Sequence, residues 1–255
     1  MRQPIRLEQF LHGPGPRKAA VLADLDGCLV AGDTVLPGVR DLFALCGDRI
    51  WIVSNNSTDT AAQLAGRLGC LGLEIRADRI LLAGEETLRD LATAQPGARV
   101  ALYATPGLQS LATALGLKLD KQWPEVVVLA RDTGFDVEAL TELVGLVHRG
   151  VPLIVTNPDH SHPALDGSPV PETGALLAAV TSIIPDLRYS CLGKPAADLV
   201  QRSLRRADVM PSAAVFIGDT PETDGAAAAA AGVDFVLLQR PGKFTIGRLD
   251  CEAAE

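Results

Sequence analysis

The sequence predicts an α/β fold built on parallel sheets, and three observations carry that prediction. Short, continuous apolar runs such as Ala19 to Leu25, Arg49 to Val53 and Ala214 to Ile217 read as strands buried on both faces. These runs alternate with helical stretches along most of the chain, as in β-α units. Four of them end in polar clusters, at Asp24-Asp26, Ser54-Asn56, Thr156-Asp159 and Gly218-Asp219. In open parallel sheets, ligands sit outside the carboxyl ends of the strands.

The elements follow in order. Residues 1–18 carry Pro4, Pro14 and Pro16 and read as a loose lead-in. After the strand Ala19 to Leu25 comes a helix from Val39 to Cys46, then the strand Arg49 to Val53. An amphipathic helix from Thr60 to Leu71 is followed by a short strand, Ile80 to Leu82, and a helix, Glu85 to Ala94. The middle of the chain repeats the alternation. Strands are expected at Val100 to Tyr103, Val126 to Leu129 and Pro152 to Thr156, and helices at Leu108 to Leu115, Val137 to Val147 and Ala175 to Ile184. Beyond Lys194 come helix Ala197 to Ala207, strand Ala214 to Ile217, helix Thr223 to Ala231 and strand Phe235 to Leu238.

Bulk properties narrow the function classes. A chain of 255 residues suffices for one large domain or two small ones with real cores. The net charge of −8 argues against nucleic acid or an anionic membrane as partner, since both select a basic surface. A small anionic substrate remains compatible, because one local pocket can oppose the global charge. Cys28, Cys46, Cys70, Cys191 and Cys251 form no CxxC pair and no metal-like spacing, so they read as reduced thiols of a cytoplasmic protein. No apolar run approaches the roughly 20 residues that span a bilayer, and the N-terminus offers no signal peptide.

The chemistry lies at the strand ends. Asp24 and Asp26 are two apart, so both carboxylates can face one pocket. Such a pair repels, and a hard cation such as Mg²⁺ relieves the repulsion while leaving room for substrate phosphate. Gly27 permits a sharp turn and close backbone approach; Asp-Gly is equally a turn signal. Asp219 and Asp224 form a second acidic pair able to complete a metal shell, or else cap the start of a helix. Ser54, Asn55 and Asn56 offer a hydroxyl, amides and N–H donors beside a helix start, an anion site or a plain cap. Lys194, in Gly193-Lys194-Pro195, reads by itself as a surface charge.

Taken together, DxDG, Ser54, Lys194 and the Asp219/Asp224 pair resemble the haloacid dehalogenase superfamily, and within it the NagD-like, p-nitrophenyl-phosphatase-like group. Leu36-Pro37-Gly38, Thr156-Asn157-Pro158-Asp159 and Gly174 to Ala179 extend the resemblance across residues 19 to 245. The resemblance implies a Rossmann-like core, residues 1–83 and 187–255, with an inserted α/β cap, residues 84–186. It implies that Asp24 is the nucleophile and a Mg²⁺ ligand. Asp26 would be the general acid/base and lend the metal its backbone carbonyl. Ser54 would bind phosphate with Asn55 nearby, Lys194 would steady nucleophile and phosphoryl group, Asp219 would ligate Mg²⁺, and Asp224 would support its water shell. Dimerisation through the cap is a further expectation. Cys28, Thr220-Pro221 and Ala83-Gly84 depart from the group's more usual residues; Cys28 is expected to pack or hydrogen-bond rather than react.

The expected activity is Mg²⁺-dependent hydrolysis of small phosphomonoesters through an aspartyl-phosphate. A phosphotransferase or mutase on the same core, or a non-catalytic sensor, are the alternatives; a sensor should have lost a catalytic residue. Asp26 argues against dehalogenation, which needs no leaving-group acid. In the cap, Asn157, Asp159, His160 and His162 are the expected substrate contacts, with no third ligand in view for a Zn²⁺ site.

Overall fold

A computed structural model describes residues 3–164 and 168–239; Cys251 lies outside them. The chain builds two five-stranded sheets, both wholly parallel. In the first, the strand order is Asp234–Leu237, Ala214–Gly218, Ala20–Ala23, Ile50–Ser54, Ile80–Leu82. In the second it is Tyr189–Cys191, Leu153–Val155, Val126–Leu129, Arg99–Tyr103, Lys118–Leu119. The apolar runs form these strands because alternate residues enter separate cores. Val21, Ala23, Ile52 and Ile217 pack on one face of the first sheet, while Leu22, Val53 and Phe216 pack on the other. Val100 and Val128 face one core of the second sheet, and Ala101, Val127 and Leu129 face the other. Helices cover both faces, which is why the strands carry no polar alternation.

The expected elements fall within a few residues of the observed ones, with four instructive differences. The lead-in is ordered: helix Leu7–His12 buries Leu7 and Phe10 in the first core, and Ile5 bridges to Leu238. Its proline content masks two large apolar anchors. The helix read from Thr223 begins instead with a wide π-type turn, Pro221–Gly225, and becomes α-helical over Ala226–Ala231. Tyr189–Cys191, placed with the core by the sequence reading, pairs with Leu153–Val155 in the second sheet. An antiparallel ribbon, Ser161–Pro163 with Pro169–Pro171, which the sequence reading did not anticipate, carries His162. Among the described residues, no helix is long and apolar enough to cross a membrane.

Topology places the site. Ala20–Ala23 is central, with Ala214–Gly218 on one side and Ile50–Ser54 on the other, so its carboxyl end opens on a switch point in strand order. The register sets Ala23 beside Ile217, and Asp24 N–H donates to the Ile217 carbonyl at 3.0 Å. Asp24 and Asp219 therefore leave adjacent strands at the same level.

Candidate active site

Three carboxylates converge at that edge: Asp24, Asp219 and Asp224 each present an oxygen within 4.8 Å of the others. Two glycines make the convergence possible. Gly27 sits at φ +74°, and a Cβ there would collide with the Asp219 carboxylate; a Cβ at Gly218 would collide with Asp224. Thr220, one of the departures from the family pattern, braces both acids: its hydroxyl donates to Asp219 Oδ1 at 3.0 Å and its N–H to Asp224 Oδ2 at 3.1 Å. Asp224 serves the start of the turn through the Thr220 N–H, and its fully buried carboxylate also turns inward to Lys194. Cys28 is buried, with its thiol 3.7 Å from the Ile217 carbonyl, which fits the packing role expected of it.

Lys194 enters from the opposite wall. It is 2% exposed, and its Nζ lies 2.6 Å from Asp24 Oδ1 and 2.7 Å from Asp224 Oδ1. The plain surface reading of this lysine is thereby replaced by a buried ion-pair fork. Asn55 holds its backbone: Asn55 Oδ1 accepts the Lys194 N–H at 2.7 Å, and Asn55 Nδ2 donates to the Lys194 carbonyl at 2.9 Å and to Asp159 Oδ2 at 3.0 Å. Gly193 permits this clamp, since a Cβ would come within 2.8 Å of Asn55 Oδ1.

The electrostatics follow from burial. Asp24 is held well above the usual carboxylate range, first by desolvation and then by Asp224, with Lys194 pulling the other way. Burial alone would lower the Lys194 ammonium, but Asp224 and Asp24 outweigh it and hold it above its ordinary value. Asp26 is raised, mainly by burial. Asp159 is also raised by burial, which the Asn55 hydrogen bond partly offsets. Three acids against one lysine leave a net negative cluster of hard oxygens, a donor set that fits Mg²⁺.

The expected residues meet in one cavity of about 250 Å³. Asp24, Asp26, Ser54, Asn55, Asn56, Asp159, His160, His162, Lys194 and Asp219 line it. Asp224 lies just behind the wall. Asn157, expected at the substrate, is instead fully buried away from the cavity. Its amide nitrogen donates to the Asn55 carbonyl at 2.9 Å and to the Ser57 and Thr173 hydroxyls at 3.1 Å each, so it ties the strand ends together. The helix N-terminus invoked beside Ser54-Asn56 is likewise unavailable to an anion. That helix, Ala61–Cys70, is capped by Thr60, and its first N–H donates to Glu85 Oε2 at 2.7 Å. Ser54 Oγ accepts the Asn56 N–H at 3.1 Å, which leaves its hydroxyl proton able to donate. Asn56 Oδ1 is engaged locally, accepting the N–H groups of Thr58 and Asp59.

Sequence reasoning missed Glu172, which also lines the cavity. Its only sequence signal is an acid immediately before the Thr173–Ile183 helix, an ordinary position for one. His162 Nδ1 lies 2.6 Å from Glu172 Oε1. This hydrogen bond raises the imidazole above its ordinary value against the effect of burial; Asp26 adds to the rise and Arg131 opposes it. Folding therefore favours the protonated ring. That stabilisation is complete below about pH 6.5 and is lost as pH rises through the higher folded value. The NMR titration midpoint of His162 is expected above that of an ordinary histidine, with a fall in urea midpoint over the same window that His162→Gln lacks. A midpoint at or below the ordinary value would contradict the geometry.

Comparison with known proteins agrees with this architecture. The chain matches the model of haloacid dehalogenase-like hydrolases over residues 21–118 and that of HAD-hydrolase-like proteins over 191–253. It is 29% identical to a dihydroxyacetone phosphatase of Corynebacterium glutamicum over 221 residues, covering 86% of this chain and 80% of that protein. Among solved structures it superposes on p-nitrophenyl phosphatase from Archaeoglobus fulgidus with TM-score 0.78 at 30% identity, over 86% of this chain and 85% of that one. It also superposes on glycerol phosphate phosphatase from Mycobacterium tuberculosis in complex with magnesium, with TM-score 0.79 at 26% identity, over 87% and 68% of the two chains. Motif order, parallel topology and these likenesses together mean that the chain belongs to the haloacid dehalogenase-like hydrolase family, among its phosphatases.

Proposed function

We propose that the protein is a Mg²⁺-dependent phosphatase that hydrolyses small phosphomonoesters through a phosphorylated Asp24. The observation that carries this reading is the buried fork of Lys194 on Asp24 and Asp224, set within a cluster of three carboxylates at the carboxyl end of the central strand. Relatives named as dihydroxyacetone, glycerol phosphate and p-nitrophenyl phosphatases support the substrate class.

The residues divide the work. Asp24 attacks phosphorus in line, forming an acyl-phosphate bond as the ester P–O bond breaks. Asp26 gives its proton to the departing alkoxide, then takes one from the water that hydrolyses the acyl phosphate and releases inorganic phosphate. Lys194 opposes the charge on Asp24 and on the equatorial oxygens, and the Ser54 hydroxyl donates to one of them. Asp24, Asp219, Asp224 and the Asp26 carbonyl would hold Mg²⁺, which when bound offsets the repulsion between carboxylate and phosphoryl group.

Metal removal is the direct test. With p-nitrophenyl phosphate, EDTA is expected to abolish turnover and added Mg²⁺ to restore it, and Mg²⁺ at 100 times its Kd should stabilise the fold by about 2.7 kcal/mol. Rapid quench followed by mass spectrometry should find phosphate on the peptide carrying Asp24. Full turnover in EDTA, or an unmodified Asp24 peptide with phosphate elsewhere, would sink the reading.

A further inference from the structure

The reactive residues account for one end of the cavity. The other end carries a contact chain that the chemistry above does not use. Arg131, on the loop after Val126–Leu129, donates from Nε to the Pro171 carbonyl at 2.9 Å and lies 3.4 Å from Glu172 Oε1. Its backbone N–H donates to Ser57 Oγ at 3.0 Å and its guanidinium to Thr58 Oγ1 at 3.3 Å, so it is tied to the loop that follows Ser54. Glu172 is 14% exposed at the side chain and meets His162 across the antiparallel ribbon, where its own N–H donates to the His160 carbonyl at 3.0 Å. The His162 ring is thereby held at Nδ1, and Nε2 is its remaining polar atom for the cavity.

The lining of that cavity contains no aliphatic residue and no phenyl, phenol or indole ring among the described residues. Among the described residues, the rings that an aryl or nucleobase leaving group would meet there are the imidazoles of His160 and His162. An anionic leaving group would meet Asp26 and Asp159 as well as Glu172, against the imidazoles of His160 and His162, the latter already paired with Glu172. Hydroxyls suit the site: carboxylates accept from them and the fixed imidazole N–H donates to them.

We infer that Arg131 and Glu172 are positioning residues that fix His162 as a hydrogen-bond donor to the leaving group, and so select phosphomonoesters of small, uncharged polyols. The inference rests on the phosphatase reading and adds the chemical class of the alcohol and the residues that read it. A fixed donor discriminates strongly because an alcohol without the matching hydroxyl leaves buried polar groups unpaired.

The test compares kcat/KM, with Mg²⁺ present, for glycerol 3-phosphate, ethyl phosphate, phosphoglycolate and p-nitrophenyl phosphate. Wild type is expected to prefer glycerol 3-phosphate over ethyl phosphate and over phosphoglycolate by about a hundredfold or more. Glu172→Gln keeps the shape but loses the charge. It should cut the glycerol-to-ethyl ratio about tenfold, through KM for glycerol 3-phosphate more than through kcat, and Arg131→Met should shift it the same way. His162→Leu should cut the ratio further, while His162→Gln, which keeps an amide donor near Nε2, should recover part of it. A ratio near one in wild type, a preference for phosphoglycolate, or an unchanged ratio in Glu172→Gln overturns the inference while leaving the phosphatase reading intact. Turnover of none of the four esters overturns the phosphatase reading itself. The ratio is internal to each variant, so partial loss of folded protein does not imitate the effect, and the wild-type panel decides even where a variant fails to fold.

Discussion

Asp24→Asn is expected to remove at least about 10⁴-fold of kcat/KM for any phosphate ester, while the metal-free protein stays as stable as wild type or becomes more stable. The two effects separate because the carboxylate proposed to attack is poorly placed for folding. The Asp24 side chain is 12% exposed and faces Asp224 and Asp219, so its charge is disfavoured in the folded chain. Asn fills the same space, still accepts a hydrogen bond from Lys194, and leaves Asp224 as the ammonium's partner at 2.7 Å. Turnover and urea midpoint, the latter measured in EDTA, check both halves. Activity within tenfold of wild type would overturn the nucleophile assignment. A large loss of stability would mean that the Asp24–Lys194 pair, rather than the repulsion among the acids, dominates the cluster.

Lys194→Met should do the opposite to the fold. Lys194 lies between two buried carboxylates, and its removal leaves both without their ammonium. Breaking a buried pair from one side costs about 3–5 kcal/mol. Turnover should be lost as well, since the substitution removes the ammonium that lies 2.6 Å from Asp24 Oδ1. Mg²⁺ should restore part of the lost stability without restoring activity, because a cation at the same carboxylates replaces the missing charge but not the ammonium's position. Urea unfolding in EDTA and in Mg²⁺ measures the difference. A variant as stable as wild type in EDTA would show that the carboxylates are neutralised by other means.

These two predictions rest on residues that could be named from the sequence, and the reason is physical. A strand buried on both faces must be a continuous apolar run, so Ala20–Ala23, Ile50–Ser54 and Ala214–Gly218 were visible as strands, and the polar residues ending them had to lie at the sheet edge. The turn glycines were visible for the same local reason. Lys194 was harder. Nothing about a Gly-Lys-Pro sequence marks a buried ammonium, and only its place in the order of motifs singled it out. Asn157 shows where that reasoning stops. An Asn at a strand end can face ligand or face inward, and here the Ser57 and Thr173 hydroxyls, both distant in sequence, drew it inward.

The sequence by itself determined the fold class, the succession of strands and helices, and the acids at the strand ends that meet in the candidate site, because burial and backbone turning leave local, periodic marks. Tertiary structure alone decided that Leu7 and Phe10 anchor the lead-in, that Glu85 occupies a helix start, that Asn55 clamps Lys194 to Asp159, and that Arg131 and Glu172 hold His162. All but the His162–Glu172 pair, which closes across one ribbon, are contacts between segments remote in sequence. The partners are polar or isolated residues that carry no periodicity of their own, so their pairing exists only once the sheets, the cores and the antiparallel ribbon bring them into contact.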